Sequence, residues 1–120
     1  MHVKVEAFKI GIRENDISKM LVKYPWIVSP SILENFEEIV DFFDDEKVPR
    51  ISTASAIKNW PHILGCSVDK IELMVEQFRR MDIRKKKLGQ VIAKSPQLLL
   101  RKPEEFDQVA FFLGEIRLVT

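Results

Sequence analysis

The densest charge in this 120-residue chain lies at residues 79–87, where Arg79, Arg80, Arg84, Lys85, Lys86 and Lys87 stand against Asp82 alone. Such a stretch suits one chemistry, the neutralisation of phosphates, which positions a protein on a nucleic acid without reading its bases. Arg101 and Lys102 add to it further along. Other chemistries lack their residues. Cys66 is the single cysteine, so no internal disulfide can form, and with His2 and His62 it offers no recognisable metal-ligand spacing. Gly11, Gly65, Gly89 and Gly114 are scattered and make no phosphate-binding glycine loop. Neither an acid/base pair nor a nucleophile with its partner is recognisable. The expectation is a protein that is not an enzyme and calls for no cofactor or metal.

The elements that must position these cations follow from a repeat. Three segments align on Pro25, Pro61 and Pro96, spaced by 36 and 35 residues. Each proline has an aliphatic residue four before it (Leu21, Ile57, Ile92) and a pair of aliphatics after it (Ile27 and Val28, Ile63 and Leu64, Leu98 and Leu99). A second pattern follows each proline. Phe36, Ile39, Val40 and Phe43 recur as Ile71, Met74, Val75 and Phe78, then as Phe106, Val109, Ala110 and Leu113, at a constant shift of 35. Their i, i+3, i+4, i+7 spacing is one face of an amphipathic helix. Val48, Ile83 and Leu118 close the units.

Each unit therefore reads as helix A, a break at proline, an apolar turn, helix B and a short loop. Proline disfavours helix in the residue before it, so helix A ends just ahead of it. The Pro-x-aliphatic-aliphatic step fits one 3₁₀ turn that plugs its aliphatics into the core. Helices B are expected near 31–45, 67–81 and 103–116. Ser31 with Glu34 fits a capping box, Ser67 an N-cap with Asp69 in the first turn, and Pro103 a first helical position. Thr53 departs from the pattern, because Ile17 and Leu88 are apolar at its position. The fold class expected is all-α, an α-solenoid of about three repeats in one domain over 1–120, with units at about 13–48, 49–83 and 84–118. Val5, Phe8 and Ile12 read as the tail of an earlier helix B, so residues 1–12 are expected to be the remnant of a preceding repeat in an array cut at both ends. Exposed stacking faces at such ends predict self-association.

Sorting charge by layer gives the overall balance of +1 a structure. The helix A segments 13–26, 50–62 and 84–97 hold ten basic residues against two acidic ones. The helix B segments 31–46, 67–78 and 103–113 hold one basic residue against thirteen acidic ones. A basic face and an acidic face follow, and such a field orients a polyanion against the A layer. The candidate nucleic-acid-binding residues are Lys19, Lys23, Arg50, Lys58, Arg84, Lys85, Lys86, Lys87, Lys94, Arg101 and Lys102. The rival reading is a protein-interaction scaffold whose acidic B face recruits a protein partner. Trp26 and Trp60 read as core or turn packing, with base stacking the alternative. His62 reads as a solvent-facing turn residue, and Cys66 as a small filler before the Ser67 cap. Phe42, Phe43, Phe111 and Phe112 read mostly as core.

No apolar run approaches the roughly 18 residues that span a membrane. The first residues, Met1-His2-Val3-Lys4-Val5-Glu6, read as neither a signal nor a transit peptide, so any targeting segment is expected to lie outside this sequence.

The aliphatic-x-x-x-Pro-x-aliphatic-aliphatic steps around Pro25, Pro61 and Pro96, the helix B runs and the Gly11-Ile12 pair resemble the mitochondrial transcription termination factor (mTERF) family, especially its plant members. The tryptophan and glycine signature of tetratricopeptide repeats is absent, and pentatricopeptide repeats place no proline between their helices. The resemblance covers nearly the whole chain. It implies a left-handed stack of two α-helices and a 3₁₀ turn per unit. It also implies location in a chloroplast or mitochondrion, the plastid being favoured, and binding of duplex nucleic acid, DNA or RNA, in transcription, its termination or RNA metabolism.

Overall fold

Proline punctuates the chain as its chemistry requires. In the computed structural model, which describes residues 2–100, with side chains from residue 5, helix α1 spans His2–Lys9 and α2 spans Glu14–Lys23. A 3₁₀ turn at Pro25–Val28 leads into α3, Pro30–Asp45. The order repeats with α4 at Arg50–Asn59, a 3₁₀ turn at Pro61–Gly65 and α5 at Val68–Arg80, then with α6 at Lys86–Lys94 and a 3₁₀ turn at Pro96–Leu100. No strand occurs among the described residues. The all-α repeat fold is as expected from sequence. The helix B expected at 103–116, with Pro103, Phe111, Phe112 and Leu118, lies outside the described residues.

The A helices end where proline forbids continuation: Tyr24, Trp60 and Ser95 follow α2, α4 and α6, and each donates its N–H to the carbonyl four residues back, at 2.7, 2.9 and 2.9 Å. The start of α3 corrects the sequence reading. Ser29, not Ser31, is the N-cap, its hydroxyl accepting from the Ile32 N–H at 3.4 Å, with Pro30 in the first helical position. Pro30 has no N–H to leave unpaired, so it suits the first helical position, and the helix begins two residues earlier than a Ser31 cap allows. Ser67 caps α5 as expected, accepting from the Lys70 N–H at 3.4 Å.

The B helices end in a shared motif that carries the repeat register. Gly11, Lys47 and Asp82 all have positive φ, at 88°, 63° and 60°. The next residue, Ile12, Val48 or Ile83, is buried and donates to the carbonyl five back, on Ala7, Phe43 or Phe78, at 2.9–3.0 Å. The positive-φ residue itself bonds three back, to Phe8, Asp44 or Arg79. This is a Schellman closure, which satisfies terminal carbonyls and tucks an apolar residue under the helix end. It also corrects the reading of the first residues. The register places Ala7 and Ile12 in the core, at 1% and 3% exposure, while Val5 and Phe8 face outward at 52% and 50%.

The core is the continuous seam between layers. The helix B quartets of α3 and α5 are buried throughout, as are Ile27, Ile63, Leu64, Leu98 and Leu99 of the turns. Val28 differs from expectation and is 48% exposed. The second and third turns lie against the B helices α3 and α5, and the first turn lies against the eight-residue α1. Between units, the Asn35 side-chain amide on α3 donates to the carbonyls of Leu64, at 2.8 Å, and Cys66, tying one helix B to the next turn. Thr53 is buried in the A layer, and its hydroxyl has no hydrogen-bond partner among the described residues.

Candidate nucleic-acid interface

The basic stretch at 79–87 does not fold as one unit. Arg79 and Arg80 belong to the last turn of α5, where cations offset the helix dipole. The Arg79 guanidinium pairs with Glu46 and Glu76 and is held further toward its protonated form by hydrogen bonding to Glu46, and Arg80 lies 3.9 Å from Glu76. Arg84 and Lys85 then lead into α6, which opens with Lys86 and Lys87, and all four side chains are exposed. Lys85 sits at φ 55° and ψ −121°, a backbone region that glycine favours.

Ion pairing divides the candidates expected from sequence. Arg50 is engaged: it pairs with Asp44 at 3.1 Å, donates to the Lys9 carbonyl at 3.1 Å and has its pKa raised by the hydrogen bond to Asp44. Lys58 lies 3.9 Å from Asp16, and Arg84 lies 3.7 Å from Asp82 while donating to the Arg79 carbonyl. Lys19, Lys85, Lys86, Lys87 and Lys94 are exposed and form no ion pair with a described residue. Lys23 is exposed with its ammonium 5.5 Å from the Tyr24 ring centre. Lys23, Lys58 and Lys94 occupy the last turns of the A helices, so they also serve the helix dipole. Arg101 and Lys102 lie outside the described residues.

The acidic face is narrower than the layer count implies. Helix α3 carries Glu34, Glu37, Glu38, Asp41, Asp44 and Asp45 and no base. Helix α5 runs on to Arg80, so its three acids, Asp69, Glu72 and Glu76, are matched by three bases, Lys70, Arg79 and Arg80. Of the two described B helices that follow a 3₁₀ turn, only α3 is therefore uniformly acidic. Among the described residues no group of three or more His, Cys, Asp or Glu is placed to hold a metal ion, and no helix is long and apolar enough to cross a membrane.

Sequence reasoning missed an aromatic cluster. Trp26 and Trp60 are not core residues; they remain 38% and 36% exposed. They meet Tyr24 and the exposed His62 in one group of rings, with centroids 4.9–6.1 Å apart. The signal was present in the register, because all four flank Pro25 and Pro61 by one residue. Cys66 is half-buried beside this turn, and burial pushes its thiol pKa up.

No curated protein and no solved structure matched the chain. A family model described as mTERF matches residues 1–119. With its proline-punctuated helix–turn–helix units and the match along almost its whole length, the chain belongs to the mTERF family, whose members are generally organellar, helical-repeat, nucleic-acid-binding regulators.

Proposed function

We propose that this chain is a nucleic-acid-binding repeat module acting in organellar transcription, transcription termination or RNA metabolism, and that it holds the phosphates of duplex DNA or RNA through its helix A layer. The observation that carries this reading is the start of α6, where Lys85, Lys86 and Lys87 are exposed in succession without an acidic partner among the described residues. Three like charges at a helix start oppose the helix dipole, and positive φ at a non-glycine residue costs about 1–3 kcal/mol. Stability alone favours neither feature, whereas a polyanion gains from both the charge and its projection. Lys19, Lys23 and Lys94 extend the surface, while Arg50, Lys58 and Arg84 are partly neutralised by neighbours. The repeats at about 13–48, 49–83 and 84–118 form one domain in this reading, placed in a plastid or mitochondrion, with the plastid favoured by the likeness to plant members.

Binding to duplex DNA, duplex RNA and single strands, measured by gel shift at several salt concentrations, tests it. Affinity falls with salt at a log–log slope of about −0.9 per phosphate contact on duplex DNA. Changing Lys85, Lys86 and Lys87 together to Ala flattens that slope and weakens binding similarly across sequences. Unchanged low-salt affinity in that variant removes these residues from the interface. The uniformly acidic α3 supports a second reading, a protein-interaction scaffold. In that case Glu37, Glu38 and Asp41 changed to Ala abolish partner capture, and the lysine changes do little.

A further inference from the structure

Tyr24, Trp26, Trp60 and His62 come from two successive units, yet they form one continuous surface of rings. His62 is the hub, its ring centre 5.2 Å from Tyr24, 6.0 Å from Trp26 and 4.9 Å from Trp60. Rings serving only to fill the seam between units would be buried, as Phe36, Phe43 and Phe78 are. The two indoles instead keep more than a third of their surface in solvent. The third unit has Ser95 and Gln97 at the corresponding places, so the ring surface is specific to the first junction. Lys23 stands beside it over Tyr24, and the exposed Lys19 lies one helical turn earlier on α2.

We infer that these four rings are a stacking platform for unpaired bases of a single-stranded nucleic acid, whose backbone lies along Lys19 and Lys23. The inference rests on the nucleic-acid-binding reading above, but it assigns base contact to a surface separate from Lys85, Lys86 and Lys87. Every base has a π-face, so an aromatic surface flanked by cations binds single strands with little sequence preference. A duplex withholds those faces inside its own stack. A proline-rich peptide also docks on exposed aromatic rings. It gains nothing from the adjacent lysines, whereas a polyanion does.

Trp26 and Trp60 are the only tryptophans in the sequence, so intrinsic fluorescence reports on this surface alone. The whole chain is titrated at low salt with an oligothymidylate, and with an abasic oligomer of the same length and charge. Oligothymidylate quenches the emission, and Trp26→Ala and Trp60→Ala each weaken its binding by about five-fold or more. The abasic oligomer binds more weakly and quenches little. Circular dichroism of both variants matches the parent, because the indoles are partly exposed. If the abasic oligomer binds equally well without quenching, the rings are idle and the platform is wrong, while the phosphate reading stands. If neither oligomer nor duplex binds at low salt, both readings fall. Quenching by a proline-rich peptide but not by oligothymidylate overturns the inference in favour of a protein partner.

Discussion

Gly89 on α6 lies so close to Ser52 on α4 that a Cβ at position 89 would sit 2.7 Å from the Ser52 Oγ and 2.9 Å from its Cβ. Pro49 adds a third contact, at 3.2 Å. Close approach of these A helices therefore depends on the missing side chain. In an exposed helix, Gly→Ala stabilises by about 1 kcal/mol through propensity. Here overpacking, typically about 1–3 kcal/mol, opposes that gain, because the Ser52 Cβ is fixed to its backbone. Gly89→Ala is expected to lower the melting temperature, and combining it with Ser52→Gly to recover part of the loss. A rise in melting temperature for the single variant would show that the two helices have room to separate.

The Schellman closures predict a graded response at homologous positions. Left-handed backbone costs a non-glycine residue about 1–2 kcal/mol. Lys47→Gly and Asp82→Gly are each expected to stabilise modestly, by up to about 1 kcal/mol after the flexibility of glycine in the unfolded chain is counted. Gly11→Ala should destabilise by a similar amount. Lys85→Gly separates stability from function: it relieves positive φ but removes a cation, so urea midpoints should rise while nucleic-acid affinity falls. Urea unfolding of the four variants checks the first part, and gel shift the second.

The Thr53 hydroxyl is buried and has no hydrogen-bond partner among the described residues. Desolvating such a group without a partner costs about 1–3 kcal/mol. Thr53→Val keeps the shape and removes the oxygen, so it is expected to raise stability by about 1 kcal/mol. A loss on that substitution, read by chemical denaturation, would reveal a hydrogen bond made by the hydroxyl.

Cys66 should be a poor nucleophile at neutral pH. Burial favours its neutral thiol, and nearby Lys70 only partly opposes this. Alkylation by iodoacetamide is expected to be slower than that of a free thiol and to keep rising with pH beyond the ordinary thiol range. Linkage gives the sign for stability. The neutral thiol is favoured in the folded state, so its contribution is present below the ordinary thiol pKa and is lost as pH climbs through the raised value. Cys66→Ala should remove that part of the alkaline loss, and an unchanged profile would locate the loss elsewhere.

Much of the fold was legible because its determinants are local. Proline ends a helix wherever it stands, and apolar spacing of three and four residues selects one helix face regardless of what covers it. The A helices, the 3₁₀ turns and the quartets of α3 and α5 therefore follow from sequence spacing alone. The Ser29 cap was missed because two nearby serines offer similar local chemistry, and only the position of Pro30 in the first turn separates them.

The candidate site was less legible, because it depends on which helices abut. Sequence lists Arg79 with Lys87 as one basic stretch, and only packing brings Glu46, 33 residues earlier, against the Arg79 guanidinium. The same holds for Arg50 with the Lys9 carbonyl, for Trp26 with His62, and for Gly89 with Ser52. Helix periodicity states which face turns inward, but the distance between two faces is set by every side chain between them. Charge neutralisation and ring exposure are properties of that distance, so the number and order of the elements were decided by sequence, and the cations and rings left facing solvent by the tertiary structure.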